Sequence, residues 1–267
     1  MKSDDHKDSP QVDVSLVLAC YNAANYLEES FIQIVEVLSH TKFSYEIIMV
    51  DDKSKDRTAA IIKKLQKNYL NVKTIFHRHN AGRGKTVYDG FRLSKGRIIG
   101  FIDVDLDNPA RYIFPLVLTL EQGYADVCTA KRIYLLKKNP YLVLRWILSR
   151  GYSTLVKWLL GIKIQDTETG CKFFLRKKIM PILKTVKTRG WFWDTEVMTR
   201  CYFKRMRIFE MPTLFIRTSK MSTVEIVPDI WKYIINLINF RKEVAYLKEE
   251  YDYHIHRSHR EGIVLNQ

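Results

Sequence analysis

Cysteine is sparse and poorly placed for metal or disulfide work. The four in this 267-residue chain, Cys20, Cys128, Cys171 and Cys201, show no Cys-x-x-Cys spacing. That excludes a zinc site or disulfide framework and fits a reducing compartment. Long apolar runs are missing too: none reaches the roughly 18–20 residues that span a bilayer. The polar start, Met1 to Pro10, lacks the apolar core of a signal peptide. No internal repeat, low-complexity tract or linker-like stretch interrupts the chain. Residues 1–12 read as a disordered leader, 13–225 as one α/β domain, and 226–267 as an amphipathic helix with a charged tail. Negative charge is in short supply, 29 Asp and Glu against 44 Lys and Arg, and the net +15 calls for an anionic partner. Nucleic acid, phosphorylated ligands and an acidic membrane surface all qualify.

What is present is alternation. Buried-strand patterns at Val14–Ala19, Tyr45–Val50, Val72–Phe76 and Arg97–Ile102 are separated by helical patterns at Tyr26–Leu38, Asp56–Gln66 and Lys85–Leu93. Asn22 or Asn25 is available to cap the first helix, and Ser54 or Asp56 the second. This order predicts a largely parallel, doubly wound sheet, in which ligands bind beyond the carboxyl ends of the strands. After Asp107 the regularity stops. Strands are expected at Tyr124–Thr129, Cys171–Leu175 and Ile208–Ile216, and helices at Pro140–Leu160 and Pro228–Tyr246.

The fourth strand ends in two carboxylates, Asp103 and Asp105, one residue apart. Strand alternation turns both to the same face, where like charges need a cation between them. Mg²⁺ or Mn²⁺ bound to a nucleotide diphosphate fits, because such ions take one or two carboxylates plus phosphate oxygens. The first strand runs into Tyr21 and Asn22, and the second into Asp51 and Asp52, whose carboxylates suit a base N–H or ribose hydroxyls. The third leads to Asn80-Ala-Gly82-Arg-Gly-Lys85-Thr. Gly84-Lys85-Thr86 imitates the end of a P-loop, but His79 stands where that loop needs its first glycine. The glycines still let backbone approach a ligand closely, and the cations suit a phosphate. His77 and His79 read as part of a basic turn, and His254, His256 and His259 as a surface tail. Trp191, Phe192 and Trp193 suit either a groove or a packing cluster.

In this order the motifs resemble those of family 2 glycosyltransferases of GT-A fold, closest to the polyprenyl-phosphate mannose and glucose synthases. The matching pieces are Ala-Cys-Tyr-Asn at 19–22, Val-Asp-Asp-Lys-Ser-Lys-Asp-Arg-Thr at 50–58, Asn-Ala-Gly-Arg-Gly-Lys at 80–85 and Asp-Val-Asp-Leu at 103–106. The resemblance continues through Ala130-Lys-Arg132, Arg145-Trp-Ile-Leu-Ser149, Gln165-Asp-Thr-Glu-Thr-Gly-Cys-Lys172, Trp193-Asp-Thr-Glu196 and a shortened Arg217-Thr-Ser-Lys220. It implies a Rossmann-like, mostly parallel sheet. It assigns Asp52 to base and ribose, and Asp103 and Asp105 to metal and diphosphate; Asp107, where the mannose synthases commonly carry Gln or Ser, is a candidate third metal ligand. Arg132, Arg145 and Arg217, supported by Ser149 and Lys220, become candidates for an acceptor phosphate, which arginine forks bind bidentately. Asp166 and Asp194 could serve as bases or orient their loops. An ionised phosphate nucleophile does not need a base, whereas a sugar hydroxyl does.

The implied reaction is inverting transfer of a hexose from GDP-mannose or UDP-glucose to a polyprenyl phosphate. Two alternatives stay open: a family 2 enzyme acting on a saccharide hydroxyl, and a non-catalytic basic module on the same scaffold. No nucleic-acid-binding motif is present, so nucleic acid is not expected as a partner. The apolar stretches 141–160 and 228–240, interrupted by Arg145, Arg150 and Lys157 and followed by Arg241 and Lys242, suit core-facing helices or an interfacial pair. They predict a cytoplasmic protein, peripheral on the cytoplasmic face of a membrane, with room for a membrane partner protein.

Overall fold

The computed structural model describes residues 12–134, 140–216 and 226–260. Its frame is one seven-stranded sheet in the order β3-β2-β1-β4-β6-β5-β7. The strands are β1 Val14–Cys20, β2 Tyr45–Asp51, β3 Val72–Phe76, β4 Ile98–Ile102, β5 Val127–Tyr134, β6 Cys171–Leu175 and β7 Ile208–Phe215. Helices α1 Leu27–Ser39, α2 Thr58–Asn68, α3 Arg83–Leu93, α4 Ile113–Glu121, α5 Pro140–Leu160, α6 Arg176–Leu183, α7 Trp193–Phe203 and α8 Ile226–Arg260 cover its two faces.

The expected α/β architecture is present, and strand alternation explains how it closes. Leu16, Leu18, Ile47, Met49, Ile98 and Ile102 turn to one face and join the buried side of α1, where Leu27, Phe31, Ile34 and Leu38 recur at helical spacing. Val17, Ile48, Val50, Ile99 and Phe101 turn to the other, against Val87 and Phe91 of α3 and Val197 and Met198 of α7. Such near-continuous apolar strands belong to a sheet buried on both faces. The four cysteines are buried and free.

β1 pairs in parallel with both β2 and β4, so the chain turns left and then right of β1. That divergence is the topological switch point, and the crevice beyond it is where doubly wound folds bind ligands. β6 runs antiparallel to both β4 and β5, whereas β5 and β7 are parallel. The segment before Cys171 therefore arrives at the edge that β1, β2 and β4 point toward.

Several local expectations need correction. Neither Asn22 nor Asn25 caps α1, whose N-cap is Tyr26 with no side-chain cap bond. Asn22 instead adopts a left-handed backbone and accepts the Lys55 N–H at 2.8 Å, tying two strand-end loops together. Ser54 Oγ accepts the Asn22 N–H, so only Asp56 serves the start of α2, through the Thr58 N–H at 2.9 Å. β5 begins at Val127 rather than Tyr124, because the Asp126 carboxylate anchors the strand entry to the Arg207 N–H and to Lys178. α8 is longer than expected, and its Leu237, Phe240 and Val244 enter the core. Ile235, Ile238 and Tyr246 of the same helix are exposed, as are Leu144, Ile147 and Trp158 of α5. Among the described residues no helix is long and apolar enough to cross a membrane.

Gly100, mid-strand in β4, is required by close approach: a Cβ there would collide with the Phe173 ring of β6. Gly100→Ala should lower the free energy of unfolding by about 1–3 kcal/mol through overpacking, measured as a reduced urea midpoint at unchanged slope.

Candidate active site

A cleft of about 270 Å³ opens at the switch point. The ends of β1 and β2 contribute Ala19, Cys20, Tyr21 and Asp52; the end of β4 contributes Asp103, Val104 and Asp105. Gly82 and Arg83 at the start of α3, with Gly190 and Trp191 ahead of α7, complete the walls.

Asp52 shapes the cleft. Its carboxylate accepts the Ala81 N–H at 2.7 Å, the Gly82 N–H at 3.0 Å and a bond from His77 Nδ1 at 2.8 Å. Its backbone carbonyl accepts the Asn80 side-chain amide at 3.2 Å. One carboxylate thus clamps the whole Asn80–Gly82 turn against β2. His77 bridges Asp52 and Asp89, giving the basic turn a structural role.

A file of alternating charge crosses from α7 to the cleft. Lys172 of β6 is fully buried and donates to Asp194 Oδ1 at 2.7 Å and to the Thr169 carbonyl. Arg83 donates to Asp194 Oδ2 and, through Nη2, to Asp103 Oδ1 at 2.7 Å. Its guanidinium stands 5.1 Å from both the Phe101 and Trp191 rings. Burial alone would lower the pKa of Arg83, but Asp103 and Asp194 outweigh it and hold the charge firmly on. Asp194 is thereby paired with two cations at once.

A second ion pair lies farther along β5. Arg132 donates through Nε and Nη2 to both oxygens of Asp166, each at 2.8 Å, and reaches Ser149 Oγ at 3.3 Å. Both partners are about nine-tenths buried. Asp166 titrates below the usual carboxylate range, since Arg132 overcomes the penalty of burial. The structure therefore pairs two candidate site residues, Arg132 and Asp166, with each other.

Of the remaining candidates, Tyr21, Asp52, Asn80, Gly82, Asp103 and Asp105 line the cleft. Asn22 and Asp51 do not line it: Asn22 is exposed, and Asp51 is buried and faces the Ser54 N–H at 3.4 Å. Lys85 pairs with Asp89 on the flank of α3. Arg217 and Lys220 lie outside the described residues, as does the side chain of Arg145. Trp191 reaches the cleft, whereas Phe192 and Trp193 are core residues. The reading of the sequence missed Arg83 as a site residue, although it lies inside the quoted 80–85 motif, and Glu168. Burial drives the Glu168 pKa up to about 7; Arg132 opposes the shift, Asp166 and Asp194 add to it, and Lys172 opposes it.

The donor set fits a divalent cation shared with a diphosphate. Asp103 and Asp105 both reach the cleft, and the absent side chain of Gly170 makes room for Asp103, since a Cβ there would strike its carboxylate. Among the described residues no three His, Cys, Asp or Glu gather as a ligand cage, and Asp107 is buried away from the cleft lining. Two carboxylates with phosphate oxygens are the usual arrangement for Mg²⁺ or Mn²⁺ bound to a nucleotide.

A mostly parallel sheet with a switch-point cleft and an acidic pair at the end of β4 is an α/β architecture of GT-A type. The chain belongs to glycosyl transferase family 2, whose profile matches residues 15–183. It is 28% identical over 203 residues to Glycosyltransferase AglD of Haloferax volcanii, covering 75% of this chain and 32% of that protein. It is 28% identical over 231 residues to Dolichyl-phosphate beta-glucosyltransferase of Saccharomyces cerevisiae, covering 78% of this chain and 68% of the relative. The human protein of that name is 28% identical over 249 residues, with 85% and 73% covered. The chain thus spans about a third of the archaeal relative and roughly seven-tenths of the other two. The fold matches glucosyl-3-phosphoglycerate synthase from Mycobacterium tuberculosis, solved with Mn²⁺, UDP-glucose and phosphoglyceric acid. That match has a TM-score of 0.63 at 17% identity, covering 86% of this chain and 79% of the other. The same synthase with Mg²⁺ and UDP gives 0.64 at 16% identity, with 86% and 79% covered.

Asp194→Asn should destabilise the protein by about 3–5 kcal/mol, because it strands the buried Lys172 charge. Chemical denaturation checks this; an unchanged midpoint would show that the charge file is not structural.

Proposed function

We propose that the chain transfers a hexose, glucose in preference to mannose, from a nucleotide diphosphate sugar to a polyprenyl phosphate, with inversion at the anomeric carbon. The observation that carries this reading is the pairing of Asp103 and Asp105 in a switch-point cleft, with the Arg132–Asp166 pair beyond the same sheet edge. The glucosyltransferase names of the yeast and human relatives support glucose, and hence UDP-glucose, as donor.

Each half of the reaction has its residues. Tyr21 and the Asp52-clamped turn form the floor for base and ribose. Asp103 and Asp105 would hold Mg²⁺ or Mn²⁺, which supplies neutralisation of the charge left on the diphosphate. Arg83 fixes the rotamer of Asp103 and adds positive potential at the same wall. With Asp166 and Asp194 both ion-paired, neither is placed to deprotonate a hydroxyl. That favours an acceptor already ionised, as a lipid phosphate monoester is near neutral pH. Arg132, whose charge Asp166 already matches, needs help with a dianion, and Arg145, Arg217 and Lys220 are the proposed source.

The acceptor also needs a surface. The exposed Leu144, Ile147 and Trp158 of α5 with Ile235 and Ile238 of α8, on a chain of net charge +15, suit the surface of an anionic membrane. We assign the chain to the cytoplasmic face, where its donor is found, with α8 packed through Leu237, Phe240 and Val244 onto the 13–225 transferase domain.

The deciding assay incubates UDP-glucose or GDP-mannose with polyprenyl phosphate and Mg²⁺ or Mn²⁺ and scores organic-extractable sugar. UDP-glucose should dominate, and the Asp103→Asn, Asp105→Asn double variant should lose at least a hundredfold in turnover, typical of a removed charge-stabilising group. Equal turnover in that variant removes the metal site; product only with saccharide acceptors moves the activity to hydroxyl transfer. Separately, flotation with phosphatidylserine vesicles should recover the wild-type protein and leave most of an Ile147→Glu, Ile238→Glu variant behind.

A further inference from the structure

Three cations and three carboxylates pair off at and beyond the cleft wall: Lys172 and Arg83 with Asp194 and Asp103, and Arg132 with Asp166. Glu168 is a fourth carboxylate among them, and the described cations nearest it, Arg132 and Lys172, are already matched. Its Oε1 is buried with no hydrogen-bond partner among the described residues. Its backbone N–H faces Asp166 Oδ1 at 3.4 Å, which places the residue beside the Arg132 fork. The groups facing it come from every element packed there: Arg132 of β5, Asp166 of its own loop, Lys172 of β6, Asp194 of α7, Tyr152 of α5 and Tyr233 of α8. Among the described residues two further buried hydroxyls have no hydrogen-bond partner, that of Thr169, next in the chain, and that of Tyr134, whose ring lies 5.9 Å from the Arg132 guanidinium. Unpaired buried polar atoms are rare, and Glu168 Oε1 in this charged cluster is suited to meeting a polar ligand.

We infer that Glu168 meets the acceptor phosphate as a neutral acid, holding a proton and donating it in a hydrogen bond to a phosphate oxygen other than the attacking one. This rests on the polyprenyl-phosphate reading above. A dianion beside an ionised Glu168 would face a like charge at close range, whereas the protonated acid turns that repulsion into a charge-assisted bond. No proton is lost in the step: the attacking oxygen supplies its own lone pair, the anomeric carbon–diphosphate bond breaks, and Glu168 keeps its proton. The proton is available near neutral pH, since burial has already lifted the Glu168 pKa to about 7, and an arriving dianion lifts it further.

The sign gives the test. At pH 8 most Glu168 is ionised and a phosphate monoester is a dianion, so binding must draw in a proton from solvent. Titration calorimetry of the full chain with citronellyl phosphate, in two buffers of different ionisation enthalpy, should show uptake approaching one proton. Glu168→Gln, whose amide donates without titrating, should bind with no uptake. Glu168→Ala should bind roughly tenfold or more weakly, the worth of one hydrogen bond to a charged group. Circular dichroism of both variants guards against misfolding. Equal proton uptake in wild type and Glu168→Gln, or none in wild type, overturns the role of Glu168 and leaves the acceptor class standing. Failure of the wild type to bind citronellyl phosphate overturns the acceptor class, and this role with it.

Discussion

The file Lys172–Asp194–Arg83–Asp103 is the interaction on which the rest of the arrangement depends. It ties β6 to α7, α7 to α3, and α3 to the end of β4. Each link is at least partly withdrawn from water, so removing one member leaves a charge the interior cannot solvate. The file therefore sets where α3 starts and how Trp191 stands over Arg83, and so fixes two of the cleft walls. The clamp at Asp52 holds the turn just before Arg83 with backbone amides in place of a cation.

How much of this was legible in the chain depended on the range of the interactions. β1 to β4 follow from short apolar runs, and α1 to α3 from one-sided periodicity, all of it local. α7 has no such stripe: Asp194, Thr195, Glu196, Thr199 and Arg200 are all buried, because polar partners from β6, α8 and the preceding loop receive them. A helix wrapped in its own hydrogen-bond network looks featureless to a hydrophobic count. α4 fails in the other direction, since apolar residues surround it almost completely. The reversal of β6 has no local signature at all.

The site divides in the same way. Tyr21, Asp52, Gly82, Asp103 and Asp105 are strand-end or turn residues, and their place in the cleft follows from the sheet rule once the strands are known. Lys85 sits within the same motif, yet one helical turn brings it to Asp89 rather than to the cleft. The match of Arg132 with Asp166 joins positions 34 residues apart and turns two separate functional guesses into one buried pair. Glu168 was hidden for a further reason. Its character depends on a balance of charges drawn from several elements, and only the assembled interior shows that one carboxylate is left over.

The lone backward strand has a consequence of its own. Because β6 opposes its neighbours, the loop before it comes to the reactive edge as an entrance, whereas the loops after β1, β2 and β4 come to it as exits. What leaves the sheet there is bound to the turns that launch α1, α2 and α4, and cannot vary without disturbing those helices. What enters at Gln165–Gly170 is held mainly by side-chain bonds to β5, β7 and α7. Two kinds of chain thus border one cleft, a rigid one and a replaceable one. A scaffold of this kind can keep its leaving-group chemistry while its descendants exchange one receiver for another.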